Sequence, residues 1–228
     1  LGPVDGHDLP DLIDLLRVAR DFKTPVLIHV LTKKGYGYAP AEQDPSRFHG
    51  IGKFDPVTGA GISGSTETYS DVFGATMLEL AAQNSRVCAI TAAMPGGTGL
   101  LKFRDRFPER LFDVGIAEEH AVSMAGGLAK QGMVPVVALY STFLQRSYDM
   151  ILQDITMLNL HVVLAVDRAG LVGEDGETHH GVWDFASMLP VPNLTVLAPR
   201  DIGELQTMLR WTQHHDGPCA IRYGRTSI

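Results

Sequence analysis

Several things that this chain lacks narrow what it can be. Cysteine is nearly missing: Cys88 and Cys219 are the two in 228 residues, too few for a disulfide framework or a thiolate metal site. Both fall in apolar runs, VCAIT and PCAIR, and are expected to act as small core hydrophobes. An excess of basic charge is missing too: 19 Lys and Arg against 26 Asp and Glu give a net charge of −7. That argues against non-specific nucleic-acid binding and leaves room for a local basic pocket. No apolar run reaches the roughly 18 residues of a membrane-crossing helix, and no signal peptide opens the sequence. The expectation is a cytoplasmic or organelle-stroma protein with no membrane and no nucleic-acid partner.

What is present is enough apolar sequence for a sizeable core, 45% hydrophobic against 20% charged residues. The first 30 residues predict a helix over 10–20 and a strand over 25–30. A lone helix–strand pair has no neighbours on which to bury its faces, so a longer protein is expected around it. From 32 to 68 the chain is rich in Gly, Pro, Ser and Asp. Structureless loops beyond about 15 residues are uncommon in compact domains unless they are functional or linking. The stretch TGAGISGST at 58–66 reads as a flexible linker.

From residue 69 the pattern becomes regular. It predicts a helix over 71–82 with Ser70 as N-cap, a strand over 86–91, and a short helix through Phe103 and Phe107. A strand over 111–114, a helix over 118–130, a strand over 134–140 and a helix over 144–158 follow. The chain continues with strand 161–167, helix 183–188, strand 194–197, helix 201–213 and strand 219–222. Near-continuous apolar strands alternating with helices predict an α/β fold with a doubly wound parallel sheet.

In such sheets ligands bind in the crevice beyond the carboxyl ends of the strands. The most informative stretch is DVGIAEEH at 113–120, where a short strand turns into a helix that opens on Glu118 and Glu119. A carboxylate in a first helical turn is favoured by the helix dipole, so an ordinary helix charge is the plain alternative to a chemical role. Other polar residues follow strand ends in the same way: Tyr140 to Arg146, then Arg168 with Asp175 and His179, then Arg225. All are expected along one edge of the sheet. Phe143 suits either a core or a stacking platform. Two arginines and a tyrosine make a phosphate clamp chemically reasonable, because guanidinium pairs with phosphate bidentately. The adjacent His179 and His180 do not converge on one ion as residues four apart do, and no metal ligand is expected in this chain.

Taken together, the motifs resemble one family closely. GPVDGHD at 2–8, TKKGYGY at 32–38, FHG at 48–50, DVGIAEEHAV at 113–122, YSTFLQR at 140–146 and DRAGLVGEDGETHHG at 167–181 are similar to the 1-deoxy-D-xylulose-5-phosphate synthases. These are thiamine-diphosphate enzymes of the transketolase superfamily, and the resemblance covers essentially the whole chain. It implies that 1–50 is the tail of the diphosphate-binding domain, 51–67 a linker and 68–228 the pyrimidine-binding domain. The implied reaction condenses pyruvate with glyceraldehyde 3-phosphate to 1-deoxy-D-xylulose 5-phosphate and CO₂, a precursor of isoprenoids, thiamine and pyridoxal. The implied setting is a homodimer in the bacterial cytoplasm, or in the plastid stroma of a plant.

Carried over by motif, Glu118 matches the glutamate at N1′ of the cofactor's aminopyrimidine, where proton exchange activates the cofactor. Phe143 resembles the aromatic that stacks on that ring, and Ile116 the apolar residue that supports it. Arg146 is similar to a residue that orders the pocket. Tyr140, Arg168 and Arg225 resemble binders of the acceptor's phosphoryl group, Asp175 and His179 resemble groups contacting substrate hydroxyls, and His49 the histidine near the reacting carbon. The family's segment for Mg²⁺ and the diphosphate lies upstream of this sequence, so this chain alone is expected to be inactive. Transketolase, the β subunit of a 2-oxoacid dehydrogenase and a non-catalytic oligomerisation module are the alternatives.

Overall fold

The structure is a computed structural model that describes residues 1–62 and 67–225. The chain divides into two compact units, Leu1–Ser65 and Thr66–Ile228. Among the described residues no helix is long and apolar enough to cross a membrane.

In the first unit, strands β1 (Val4–Asp5) and β2 (Val30–Leu31) pair in parallel around helix α1 (Leu9–Arg20). Asp8 caps α1 by accepting from the Asp11 amide at 3.2 Å. The strand expected over 25–30 shrinks to its last residue and the next, because β1 offers only two residues to pair with. A short helix α2 (Ala39–Gln43) follows. Beyond it, Phe48 packs edge-on against both Tyr38 at 5.5 Å and Phe54 at 5.4 Å. Arg47 Nη2 donates to Gly59 O at 2.7 Å, and Phe54 bridges to Gly61. The start of the stretch read as a flexible linker is thus tied into this unit; its residues 63–66 lie outside the described ones.

The second unit opens on α3 (Tyr69–Gln83) and continues β3 (Val87–Thr91), α4 (Leu101–Arg106), β4 (Leu111–Asp113), α5 (Glu118–Lys130) and β5 (Val134–Tyr140). A helical segment over 141–156 leads to β6 (Val163–Asp167), then come α8 (Asp184–Met188), β7 (Thr195–Leu197), α9 (Ile202–Thr212) and β8 (Cys219–Arg222). The six strands are parallel, in the order β4-β3-β5-β6-β8-β7.

Alternation along the strands separates two cores, as a period of two requires. Val87, Ala89, Val136, Ala138, Val163, Ala165 and Ile221 face one side, where Phe73, Met77, Phe103, Leu205 and Leu209 of α3, α4 and α9 cover them. Ile90, Val137, Leu139, Leu164 and Val166 face the other, under Ala121, Val122 and Ala125 of α5 with Ile151, Ile155 and Met188. Cys88 and Cys219 are buried free thiols, and burial pushes them up to about 11 and about 12. The chain leaves β3 over the first face and β5 over the second, in opposite directions along the sheet. The pair β3 and β5 is therefore the topological switch point, the place where sheets of this kind bind ligands.

Two sequence expectations change here. Thr68, not Ser70, caps α3: its hydroxyl accepts from the Asp71 amide at 3.2 Å while Asp71 accepts from the Thr68 amide at 3.0 Å, a capping box. Ser70 is the second residue of the helix and points into the protein. The helix expected over 144–158 is not one helix. It runs as α6 (Ser141–Leu144), a 3₁₀ turn (Gln145–Ser147), α7 (Tyr148–Met150) and a π-helical turn (Ile151–Thr156). The wider π turn brings Asp154 against α5, where Ser123 Oγ donates to Asp154 Oδ2 at 2.5 Å. A Cβ at Gly126 would lie 2.6 Å from Asp154 O, so only glycine fits that crossing.

Candidate functional site

The turn between β4 and α5 is fixed by Asp113, whose Oδ1 accepts from Gly115 N at 3.1 Å and from Ala93 N at 2.7 Å. Gly115 takes φ +73 there, a conformation glycine adopts without strain. The cap position, Ala117, offers no side-chain acceptor, so the first-turn carboxylates meet the helix dipole directly. Glu118 is 2% exposed. Its Oε1 accepts from Arg146 Nη1 at 2.9 Å, and the half-exposed Arg146 lies over the Phe143 ring at 5.3 Å. Phe143 stacks on Tyr140 at 5.6 Å, and His179 meets it edge-on at 5.5 Å. Ile116 stands out of the turn, 83% exposed. A buried acid, an aromatic ring and an exposed apolar side chain thus border one mouth of the sheet.

A second group continues from Tyr140 towards β8. The Arg168 guanidinium lies 3.9 Å over the Tyr140 ring. Its Nη1 donates to Gly97 O, in the loop after β3, at 2.7 Å and sits 3.1 Å from Asp167 Oδ1. Its Nε is buried without an acceptor among the described residues, 3.8 Å from Asp175 Oδ2. Asp175 also pairs with Arg225, so one carboxylate lies between two guanidinium groups. Burial raises the Tyr140 phenol above its ordinary value, against the lowering effect of Arg168.

The edge placement expected for Glu118, Phe143, Arg146, Tyr140, Arg168, Asp175, His179 and Arg225 is what the fold produces. The phosphate clamp is altered in one respect. Asp175 lies between the two arginines, and Arg168 is closed off at 11% exposure of its side chain, whereas Arg225 stays open to solvent at 41%. His49 belongs to the first unit and is exposed there. His180 has an ordinary structural role, accepting from Val172 N through Nδ1 at 3.1 Å. Among the described residues no group of three or more His, Cys, Asp or Glu is placed to hold a metal.

Sequence reasoning passed over the residues beneath this surface. Asp167 is fully buried, and its carboxyl is raised by that burial although Arg168 and the Ser70 hydroxyl lower it. Ser70 Oγ donates to Asp167 Oδ2 at 2.7 Å. Tyr223 is buried, with no partner for its hydroxyl among the described residues, and is pushed well above its ordinary value first by burial and then by Asp167. The available signal was Asp167 itself, an acid closing an otherwise apolar strand, which must find partners once buried.

The chain can be compared with known proteins on this geometry. The family model of the transketolase pyrimidine-binding domain matches residues 65–228, and that of 1-deoxy-D-xylulose-5-phosphate synthase matches residues 1–32. The 1-deoxy-D-xylulose-5-phosphate synthase of Symbiobacterium thermophilum is 58% identical over 225 residues, covering 99% of this chain and 34% of that protein. That of Pelotomaculum thermopropionicum is 57% identical over 228 residues, covering 100% of this chain and 36% of that protein. The chain therefore spans about a third of the length of these curated relatives. Among solved structures, a split-gene transketolase described as an inactive β4 tetramer matches with a TM-score of 0.64 and 28% identity, over 72% of this chain and 53% of that one. With its six-stranded parallel sheet and matched motifs, this chain belongs to the family of the transketolase pyrimidine-binding domain.

Proposed function

We propose that this chain supplies the pyrimidine side of a thiamine-diphosphate site that condenses pyruvate with glyceraldehyde 3-phosphate, giving 1-deoxy-D-xylulose 5-phosphate and CO₂. The observation that carries this reading is the buried Glu118 carboxylate at the carboxyl edge of the sheet, joined through Arg146 to the Phe143 ring. The choice of substrates rests on the relatives of 57% and 58% identity.

The donor set fits an aminopyrimidine: a buried acid for a ring nitrogen, an aromatic ring for stacking and exposed Ile116 for an apolar edge. We assign Mg²⁺ and the diphosphate contacts to the N-terminal part of a longer chain, whose tail is 1–50, with 51–67 linking it to 68–228. A cytoplasmic homodimer completes the reading. Bound thiamine diphosphate supplies a carbon nucleophile for the keto carbon of pyruvate and an electron sink for the loss of CO₂.

Each side chain then has a task. Glu118 holds and returns a proton at N1′ of the pyrimidine, and Arg146 keeps its carboxylate oriented. Phe143 stacks on the ring and Ile116 supports its edge. Tyr140, Arg168 and Arg225 hold the phosphoryl group of the acceptor, and Asp175 bridges the two guanidinium groups in its absence. Asp175 and His179 contact substrate hydroxyls, and His49 approaches the reacting carbon.

Glu118→Gln in the full-length protein tests the reading. Positioned acid–base groups contribute about 10²–10⁴-fold in rate, so deuterium exchange at the cofactor's C2 should slow by at least about a hundredfold while cofactor binding persists. Exchange within about tenfold of the parent overturns the role of Glu118.

A further inference from the structure

We propose that Asp167 and Ser70 are positioning residues that set Arg168 for the acceptor's phosphoryl group. This rests on the reading of Arg168 given above. Arg168 holds a left-handed backbone at φ +57, which a side chain larger than glycine adopts at a cost. One oxygen of Asp167 grips it at both ends: Oδ1 accepts from the Arg168 amide at 2.7 Å and lies 3.1 Å from its Nη1. The other oxygen, Oδ2, accepts from Ser70 Oγ at 2.7 Å. The serine comes from α3, on the opposite side of the sheet from Glu118 and Phe143. It is available because the Thr68–Asp71 capping box already serves the start of that helix.

The remaining sides of the guanidinium are closed as well. Tyr140 lies under its face and Gly97 O takes Nη1. A Cβ at Gly97 would overlap the Tyr140 hydroxyl, so the loop after β3 is held against the same ring. Ser70, Asp167, Tyr140 and Gly97 thus form a socket with one orientation for Arg168. Its Nε has no hydrogen-bond acceptor among the described residues. An unpaired buried donor at an anion site is a group waiting for an acceptor oxygen.

A merely structural pair would stitch α3 to β6 and do nothing else. The two roles separate in the kinetics of the full-length enzyme. Asp167→Asn keeps the shape of the side chain and an oxygen that can accept from the Arg168 amide, but removes the negative charge beside the guanidinium. Ser70→Ala removes only the hydroxyl. Initial rates are measured with glyceraldehyde 3-phosphate and with unphosphorylated glyceraldehyde, beside Arg168→Ala and with thermal midpoints of every variant. The expected result is a KM for the phosphorylated acceptor raised about tenfold in Asp167→Asn and about threefold in Ser70→Ala. The KM for pyruvate, the kcat and the rates with glyceraldehyde should stay within about twofold, and Ser70→Thr should restore the parent KM. Equal losses with both acceptors, or lost stability with unchanged KM, overturn the positioning role. If Arg168→Ala alone discriminates between the acceptors, the phosphoryl reading stands and the socket fails. If Arg168→Ala does not discriminate, the reading and the socket fall together.

Discussion

Replacing Gly74 by alanine in the middle of α3 sets two effects of opposite sign against each other. Helix propensity alone favours alanine over glycine by about 1 kcal/mol in a helix interior. The structure opposes this, because a Cβ on Gly74 would overlap the Gly99 carbonyl oxygen and lie 2.9 Å from its carbonyl carbon. Those are backbone atoms. The loop has little room to swing away, since Gly99 itself stands at φ +75 and so close to α3 that a Cβ on it would overlap the Ser70 carbonyl oxygen. Overpacking of this kind costs about 1–3 kcal/mol, and with backbone on both sides the upper end applies. The net expectation is a destabilisation of about 1–2 kcal/mol, read as a lower urea midpoint at an unchanged slope in the full-length protein. The same shift should disturb Gly97 O, which holds Arg168 Nη1 at 2.7 Å, and so raise the KM for glyceraldehyde 3-phosphate. A variant as stable as the parent, or more so, would refute the close approach of α3 to this loop.

Three further outcomes are expected. Arg222→Met leaves Asp184, 2% exposed in its side chain, without the Nε donor it accepts from at 2.8 Å. Stranding a buried charge costs roughly 3–5 kcal/mol, and a urea midpoint unchanged from the parent would show the pair to be idle. Arg225→Ala should weaken glyceraldehyde 3-phosphate about ten- to a hundredfold, the worth of a lost charge-assisted contact, and unphosphorylated glyceraldehyde far less; parallel losses count against the clamp. Burial holds the Asp167 carboxyl above its ordinary 3.8, so the folded state binds this proton more tightly than the unfolded chain does. Its contribution to stability is therefore full below 3.8 and declines as pH rises through the raised folded value. Asp167→Asn should remove that decline, and urea midpoints that track the parent's across the window would contradict the assignment.

The sequence by itself determined the layering of this protein. Apolar runs such as Val134–Tyr140 and Val163–Asp167, separated by helical patterns, leave a parallel sheet covered on both faces as the physical outcome. Because ligands gather at the carboxyl ends of such strands, the residues following them, Glu118, Tyr140, Arg168 and Arg225, were legible as one edge. Periodicity assigns a residue to a face but does not say which strands are neighbours. Only the tertiary structure set β3 beside β5, and so brought Gly97 within 2.7 Å of Arg168 across 71 residues of sequence. The same holds for Ser70 and Asp167, 97 residues apart. Locally, Ser70 and Thr68 are both acceptable helix caps. The choice between them fell to tertiary structure, because a buried carboxylate needs a donor and Ser70 is the hydroxyl that reaches it.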